Sequence, residues 1–332
     1  MGCNYLELYS SDKIMSYRII ENKIFSPKAC EINVVDHCNL SCRGCSHLAP
    51  TFAKRFEDPN KVFEQCSILA KYYRPKYIKV NGGEPLLHPN LVEVIDAIRS
   101  SGISDYIQVA TNGQLLAEMP DLFWQKVDSL YVSIYPDKKV NSENLKIFKQ
   151  KARAYNVSFQ HFYFDNFRDS YSEVGTKDTN LVERIYSTCK IAHTWKCHTV
   201  SEGYFYKCPR SLFLPKVINN DFLQPYNDGI KITDSPEFAK DLLTYLESTK
   251  PLSSCYYCLG NVGKLFAHEQ KPHAKWRQQQ AAATEELIDM DYLARSEKNP
   301  HANTLCVRYR SPIKKMIIKA QHIRANVARL TR

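Results

Sequence analysis

Between residues 30 and 165 the apolar positions alternate between two periods. Short runs rich in β-branched and aromatic residues, "EINVV" (31–35), "YIKVN" (77–81), "YIQVA" (106–110), "LYVSIY" (130–135) and "VSFQHFYF" (157–164), predict strands. Helical spacing lies between them. "VFEQCSILAKYY" sets Val62, Cys66, Leu69 and Tyr73 on one face, "NLVEVIDAIRSSG" opens after Pro89 and stops at Gly102, and "SENLKIFKQKARAY" follows the fourth strand. Strands separated by helices of this length predict successive βα units. The fold class is therefore α/β, with a mainly parallel sheet, open or curled into a partial barrel. In such sheets chemistry gathers at the carboxyl ends of the strands.

After residue 165 the pattern changes. "HTVSEGYFYKC" alternates and predicts a β-hairpin turning near Glu202 and Gly203, with Cys208 at the end of its return strand. Further on, Ile313, Met316, Ile317, Ala320, Ile323, Val327 and Leu330 recur at helical spacing and predict a basic amphipathic helix. Charge sharpens that reading. The net charge is +10, yet 307–332 alone hold eight Lys or Arg and no acid, which leaves 37 basic against 35 acidic residues elsewhere. A body this near neutral is not expected to bind nucleic acid. The tail helix is expected either to cover the body's own core or to meet an acidic protein partner or an anionic membrane surface.

The start of the chain lacks a basic region followed by an apolar run, and no stretch approaches the roughly 18 apolar residues of a membrane span. Gly2 is not a myristoylation signal, since Leu6 stands where Ser or Thr is needed. Twelve cysteines in such a chain imply a cytoplasmic protein, where clustered thiols serve metal binding or redox chemistry more often than disulfides.

Four strand ends carry small, polar or thiol groups. The first runs into "DHCNLSCRGCSHLAP", with Cys38, Cys42 and Cys45 at C-x3-C-x2-C spacing. A structural zinc site closes with four ligands, so three thiols suggest a metal site left open. The second runs into "NGGEPLLHP", where Gly82 and Gly83 let a ligand approach the backbone and Glu84 offers a carboxylate to an ammonium group. The third meets "TNG" with Asn112, and the fourth "SIYP" with Ser133 and Tyr135. Singly, TNG and GGEP read as turns; together, on successive strand ends, they define one site. Tyr135 is the candidate facing substrate. Cys66 reads as core, His47 and His88 as packing or loop hydrogen bonds, and Cys3, Cys30 and Cys306 as inert.

This ordered set resembles the radical S-adenosylmethionine (SAM) superfamily over residues 30 to about 165. The resemblance implies a partial (β/α) barrel with a 4Fe-4S cluster on Cys38, Cys42 and Cys45, whose fourth iron takes the amino and carboxylate groups of SAM. One electron, from a flavodoxin- or ferredoxin-type donor, then cleaves SAM to methionine and a 5′-deoxyadenosyl radical. Gly82, Gly83, Glu84 and Pro85 would meet the methionine end, and Asn112 and Ser133 the ribose. The family often has an aromatic residue just before the third cysteine, where this chain has Gly44. Five strands are visible, not six, so the barrel is expected to be shortened.

A second thiol group follows, with Cys189, Cys197 and Cys208, and then Cys255 and Cys258 as a C-x2-C knuckle. It resembles the Twitch form of the auxiliary extension of radical SAM enzymes, shorter than the SPASM form. That implies a second 4Fe-4S cluster on Cys189, Cys208, Cys255 and Cys258, with Cys197 a packed residue; a structural zinc on the same four thiols is the rival. The domains expected are a flanking segment (1–29), the radical SAM barrel (30–180), the auxiliary domain (181–265) and a helical C-terminal extension (266–332). By resemblance the protein is an oxidoreductase that dehydrogenates or epimerises a small polyol, aminocyclitol or sugar, the second cluster carrying electrons. The alternatives are a peptide-modifying radical SAM enzyme and a non-enzymatic iron–sulfur or zinc protein that binds a partner.

Overall fold

In the computed structural model of the chain, residues 16–136 and 140–299 are described. The basic tail helix, Cys3 and Cys306 lie outside the described residues. A hairpin, β1 (Arg18–Ile20) and β2 (Lys23–Phe25), comes first. Then follow β3 (Cys30–Val35), α1 (Pro59–Tyr72), β4 (Tyr73–Arg74), β5 (Ile78–Gly82), α2 (Leu91–Ser100), β6 (Ile107–Thr111), α3 (Asp121–Lys126), β7 (Ser129–Ile134), α4 (Ser142–Ala154) and β8 (Ser158–Tyr163). The five predicted strands are β3, β5, β6, β7 and β8, each within one residue of expectation. Local chemistry explains the helix ends: the Asp58 side chain caps α1 by accepting from the Asn60 N–H at 2.8 Å, and Gly102 follows α2 with φ at +72°.

The chain continues through β9 (Asn166–Arg168), α5 (Thr179–Ser187), α6 (Lys190–His193), β10 (His198–Ser201), β11 (Tyr204–Tyr206), α7 (Pro209–Val217), β12 (Gly229–Lys231) and α8 (Phe238–Glu247). The hairpin of β10 and β11 turns where expected, with φ of +54° at Glu202 and +76° at Gly203, a turn whose twist suits paired strands. Its placement was not foreseen. Strand β10 pairs in parallel with the free edge of β3, His198 opposite Cys30. One eight-stranded sheet results, ordered β12-β11-β10-β3-β5-β6-β7-β8. The shortened barrel thus gains its sixth parallel strand from the second cysteine segment. Nor is the extension from residue 266 helical at its start. It opens in β13 (Leu265–Ala267), paired antiparallel with β9, before the short helices α9 (Thr284–Leu287) and α10 (Met290–Lys298).

The sheet has two unlike faces. Ile32, Val34, Ile78, Val80, Ile107 and Val109 point one way and are fully buried in the cluster that holds Val62 and Leu69 of α1 and Val94, Ile95 and Ile98 of α2. Burying each such side chain is worth about 1.5–3 kcal/mol. On the opposite face Glu31, Lys79, Gln108 and Ser129 stand in register across four strands. A parallel sheet covered on both faces is normally apolar on both. No helix among the described residues is long and apolar enough to cross a membrane.

Candidate cluster and cofactor site

The loop leaving β3 gathers its three thiols under N–H donors. The Leu40 N–H approaches Cys38 Sγ at 3.4 Å and Gln270 Nε2 donates to Cys42 Sγ at 3.2 Å. Backbone N–H groups of Ala49, His47 and Leu48 face Cys45. Burial pushes the Cys38 thiol well up, and the Glu84 carboxylate and the thiols of Cys45 and Cys42 push it further. Among the described residues no three His, Cys, Asp or Glu side chains stand at the spacing a single metal ion demands. The mutual influence of the thiols nevertheless makes them neighbours. N–H groups aimed at sulfur favour thiolate, the form that binds iron. The donor set therefore fits an iron–sulfur cluster, which would supply the electron for SAM cleavage.

The two glycines of GGEP have a steric cause. A Cβ on Gly82 would collide with the Val35 carbonyl oxygen, and one on Gly83 with that of His37. Their absence lets Gly83 N–H bond to Val35 at 2.7 Å and Glu84 N–H to His37 at 3.1 Å, tying the end of β5 to the start of the cysteine loop. Glu84 itself is 1% exposed. Its carboxylate accepts from Leu86 N–H at 3.0 Å, Thr111 Oγ1 at 2.6 Å and Asn112 N–H at 2.8 Å. The expected open carboxylate is thus largely occupied in joining the ends of β5 and β6. Burial pushes it up to about 7 even against those donors. Pro85 follows at the first position of a helical turn, where no N–H is needed.

Asn112 lies beside the first cysteine, its Nδ2 donating to Asn39 Oδ1 at 2.7 Å and approaching Cys38 Sγ at 3.8 Å. Tyr135 lies two residues beyond Ser133, and its phenol is pushed well up by burial and then by Cys42, Cys45 and Cys38. Tyr135 therefore faces the three thiols. Its ring stacks on His268, centroids 4.8 Å apart and planes 10° apart.

A strap from the far end of the chain completes this site, and sequence reasoning missed it. Cys42 bridges Gln270, Arg43 N–H bonds to Glu269 at 3.0 Å, and the Trp276 indole donates to the Cys42 carbonyl at 2.9 Å. The space above Gly44, where the family often places an aromatic side chain, is taken by the ring of Phe266. No spacing signal links "KLFAHEQKPHAKW" (264–276) to residues 41–45; only the fold joins them.

The second thiol group also comes together. Burial pushes Cys189 up to about 12 and Cys208 up to about 11, with neighbouring thiols adding in each case. Cys255 is raised well above the ordinary thiol range by burial and by Cys258, Cys208 and Cys189. Gly260 N–H donates to Cys258 Sγ at 3.3 Å, and the Ser211 hydroxyl donates to the Cys208 carbonyl at 2.8 Å. These four thiols fit a second metal–thiolate centre by the same donor argument. Cys197 differs, for its first charged neighbours are Glu31 and Lys79, ahead of Cys208 and Cys189. One apolar cluster touches both groups, since Cys45 and Cys258 pack against the core of Phe213, Tyr206 and Trp276.

A parallel α/β sheet with a three-thiol loop at one strand end and glycines at the next defines the class of site. Comparison with known families makes it specific: residues 32–157 match the Radical SAM superfamily. The chain is similar to a probable GTP 3′,8-cyclase of Methanothermobacter marburgensis, 33% identical over 88 residues, covering 26% of this chain and 28% of that protein. It also resembles the GTP 3′,8-cyclase of Aquifex aeolicus, 26% identical over 242 residues, covering 61% of this chain and 72% of that one. The match thus spans under a third of the first relative's own length. Among solved structures, BtrN in complex with AdoMet and 2-DOIA aligns over 60% of this chain and 84% of that one, with TM-score 0.38 and 17% identity.

Proposed function

We propose that the protein is a radical SAM oxidoreductase that removes hydrogen from a small hydroxylated molecule, a polyol, aminocyclitol or sugar, and passes one electron to a second 4Fe-4S centre. The observation that carries this reading is the polar inner face of the sheet. Lys79 Nζ donates to Glu31 Oε1 at 3.1 Å, while the buried Glu31 Oε2 has no hydrogen-bond partner. His47, two residues after Cys45, lies 3.3 Å from Asn81 Nδ2 and 3.8 Å from Glu31 Oε2. A buried carboxylate oxygen left open is costly unless something polar meets it, and a substrate hydroxyl or ammonium suits it. Cys197 links this face to the second thiol group, with Glu31 and Lys79 as its first charged neighbours and then Cys208 and Cys189. The curated relatives carry GTP in their names. Here the Lys79 ammonium is already paired with Glu31, which leaves it little to offer a triphosphate.

The test is anaerobic reconstitution with iron and sulfide, then dithionite or reduced flavodoxin, and SAM. Formation of 5′-deoxyadenosine is expected, and it should be lost when Cys38, Cys42 and Cys45 become Ala together. Retained cleavage in that variant would end the radical SAM reading. A panel of polyols, aminocyclitols and sugars, with GTP and peptides as comparators, then decides the substrate. Consumption of GTP alone, or of peptide alone, overturns the assignment to a small hydroxylated molecule.

A further inference from the structure

Two cations flank Cys208 in sequence, Lys207 and Arg210, and both are buried, at 1% and 6% exposure. Arg210 Nη1 donates to Cys258 Sγ at 3.4 Å and to the Gly260 carbonyl. Lys207 Nζ donates to the Tyr186 hydroxyl at 3.0 Å and the Ser248 carbonyl at 2.7 Å. The charged or ionisable groups that face Arg210 are Cys258, Cys189 and Cys208, with Cys45 of the first group also within its influence. Those facing Lys207 are Cys255, Cys208 and the cation Lys196, together with Tyr186, Tyr245 and His198. No carboxylate is among them. Of the nearby acids, Glu247 is exposed, and Asp228 is taken up by Ser253 N–H at 2.8 Å, Ser254 N–H at 2.6 Å and the Ser254 hydroxyl, and so fixes the turn that carries Cys255.

A buried charge left without a counter-charge is among the most destabilising features a fold can hold. The half-buried cations Lys79 and Arg43, by contrast, are paired with Glu31 and Asp169. Four neutral thiols cannot balance Lys207 and Arg210. Four thiolates around a doubly positive core can, because such a centre carries two net negative charges.

We infer that Arg210 and Lys207 are the built-in counter-charges of the Cys189, Cys208, Cys255 and Cys258 centre, and that they set its potential so that it takes up an electron. This rests on the proposed second 4Fe-4S centre. On reduction the centre gains one electron and one negative charge; the electron comes from the substrate-derived hydroxyalkyl radical, which becomes the carbonyl product as its O–H bond breaks and the proton leaves to solvent, with no bond made to the protein. Two fixed cations stabilise that reduced state more than the oxidised one. The guanidinium acts through a sulfur, so Arg210 is a positioning and tuning residue.

The experiment uses the full chain with Cys38, Cys42 and Cys45 changed to Ala, which isolates the second centre. Iron content and midpoint potential, followed by electron paramagnetic resonance, are compared in this parent and with Arg210→Met, Arg210→Lys and Lys207→Met added. The parent should hold about four irons. Each Met variant should shift the one-electron equilibrium at least tenfold toward the oxidised state, about 59 mV lower, while Arg210→Lys stays near the parent. Unchanged potentials with iron retained overturn the inference alone. If a Met variant loses iron, Arg210→Lys decides, because retention supports the charge role and equal loss overturns it. A parent without iron, or with zinc in its place, overturns the second-centre reading and this inference with it.

Discussion

The ring of Phe266 on β13 stands over Gly44 of the cysteine loop. A Cβ at position 44 would lie 2.9 Å from its Cζ and 2.6 Å from the Arg168 carbonyl oxygen. The Arg43 guanidinium covers the same ring, 3.8 Å from its centroid. Gly44 also has φ at +70°, so Ala there adds left-handed strain of about 1–2 kcal/mol to the collision. Gly44→Ala should lower both the melting temperature and the iron held by Cys38, Cys42 and Cys45. Adding Phe266→Ala should recover part of the loss, since it relieves the ring contact but not the strain. A Gly44→Ala protein with normal melting and iron content would sink this account.

Glu84→Gln is isosteric but turns one acceptor oxygen into an amide donor. The three donors that hold Glu84 come from Leu86, Thr111 and Asn112, so one N–H would face another. The expected loss is about 1–3 kcal/mol of stability, visible in thermal unfolding before any cofactor is added. SAM titration should show weaker binding as well. Weaker binding with unaltered melting would mean that the carboxylate serves the cofactor and not the strand ends.

The Glu31 carboxyl provides a pH signature. Burial would raise it, but the Lys79 ammonium and then His47 overcome burial and hold it at about 2. Its folded value lies below its unfolded one, so its contribution is present above pH ~4.5 and disappears as pH falls toward 2. That contribution is about 3 kcal/mol at neutral pH. Denaturant melts at pH 7 and pH 3 should therefore differ less in Glu31→Gln than in the parent. Equal acid sensitivity in the two proteins would show that Glu31 is not ionised and paired.

Replacing Cys255 and Cys258 by Ala removes two of the four thiolates proposed for the second centre, and two sulfurs should not retain it. SAM cleavage at the first centre should persist, with oxidised product falling far more than 5′-deoxyadenosine. If the centre is structural, both products should fall together with solubility. Normal product from a folded double variant contradicts either role. Cys197→Ala is the control, expected to keep its iron.

Much of the barrel was legible because its signals are local. Valine and isoleucine runs mark strands, Pro89 and Gly102 bound a helix, and the spacing of Cys38, Cys42 and Cys45 lies within one loop. Long-range pairings carried no comparable mark. The bond from Gln270 to Cys42 joins residues whose only relation is the path of the chain between them. Nothing in the sequence around "KCPR" singles out Arg210, and only its burial against Cys258 gives it a place beside the thiols. Glu84 was recognised as important, yet its short-range bonds to Leu86 and Asn112 give it a structural task that motif reading assigns to a ligand.

The parallel pairing of β10 with β3 has a consequence for biosynthesis. His198 meets Cys30, a residue made 168 positions earlier. At roughly 5–20 residues per second, the edge of β3 emerges with its backbone donors and acceptors unclaimed for about ten to thirty seconds before its neighbour exists. Pairings this distant in sequence close late and slowly. The Cys38 loop therefore leaves the ribosome on a scaffold whose sheet is complete only once residue 198 has been made.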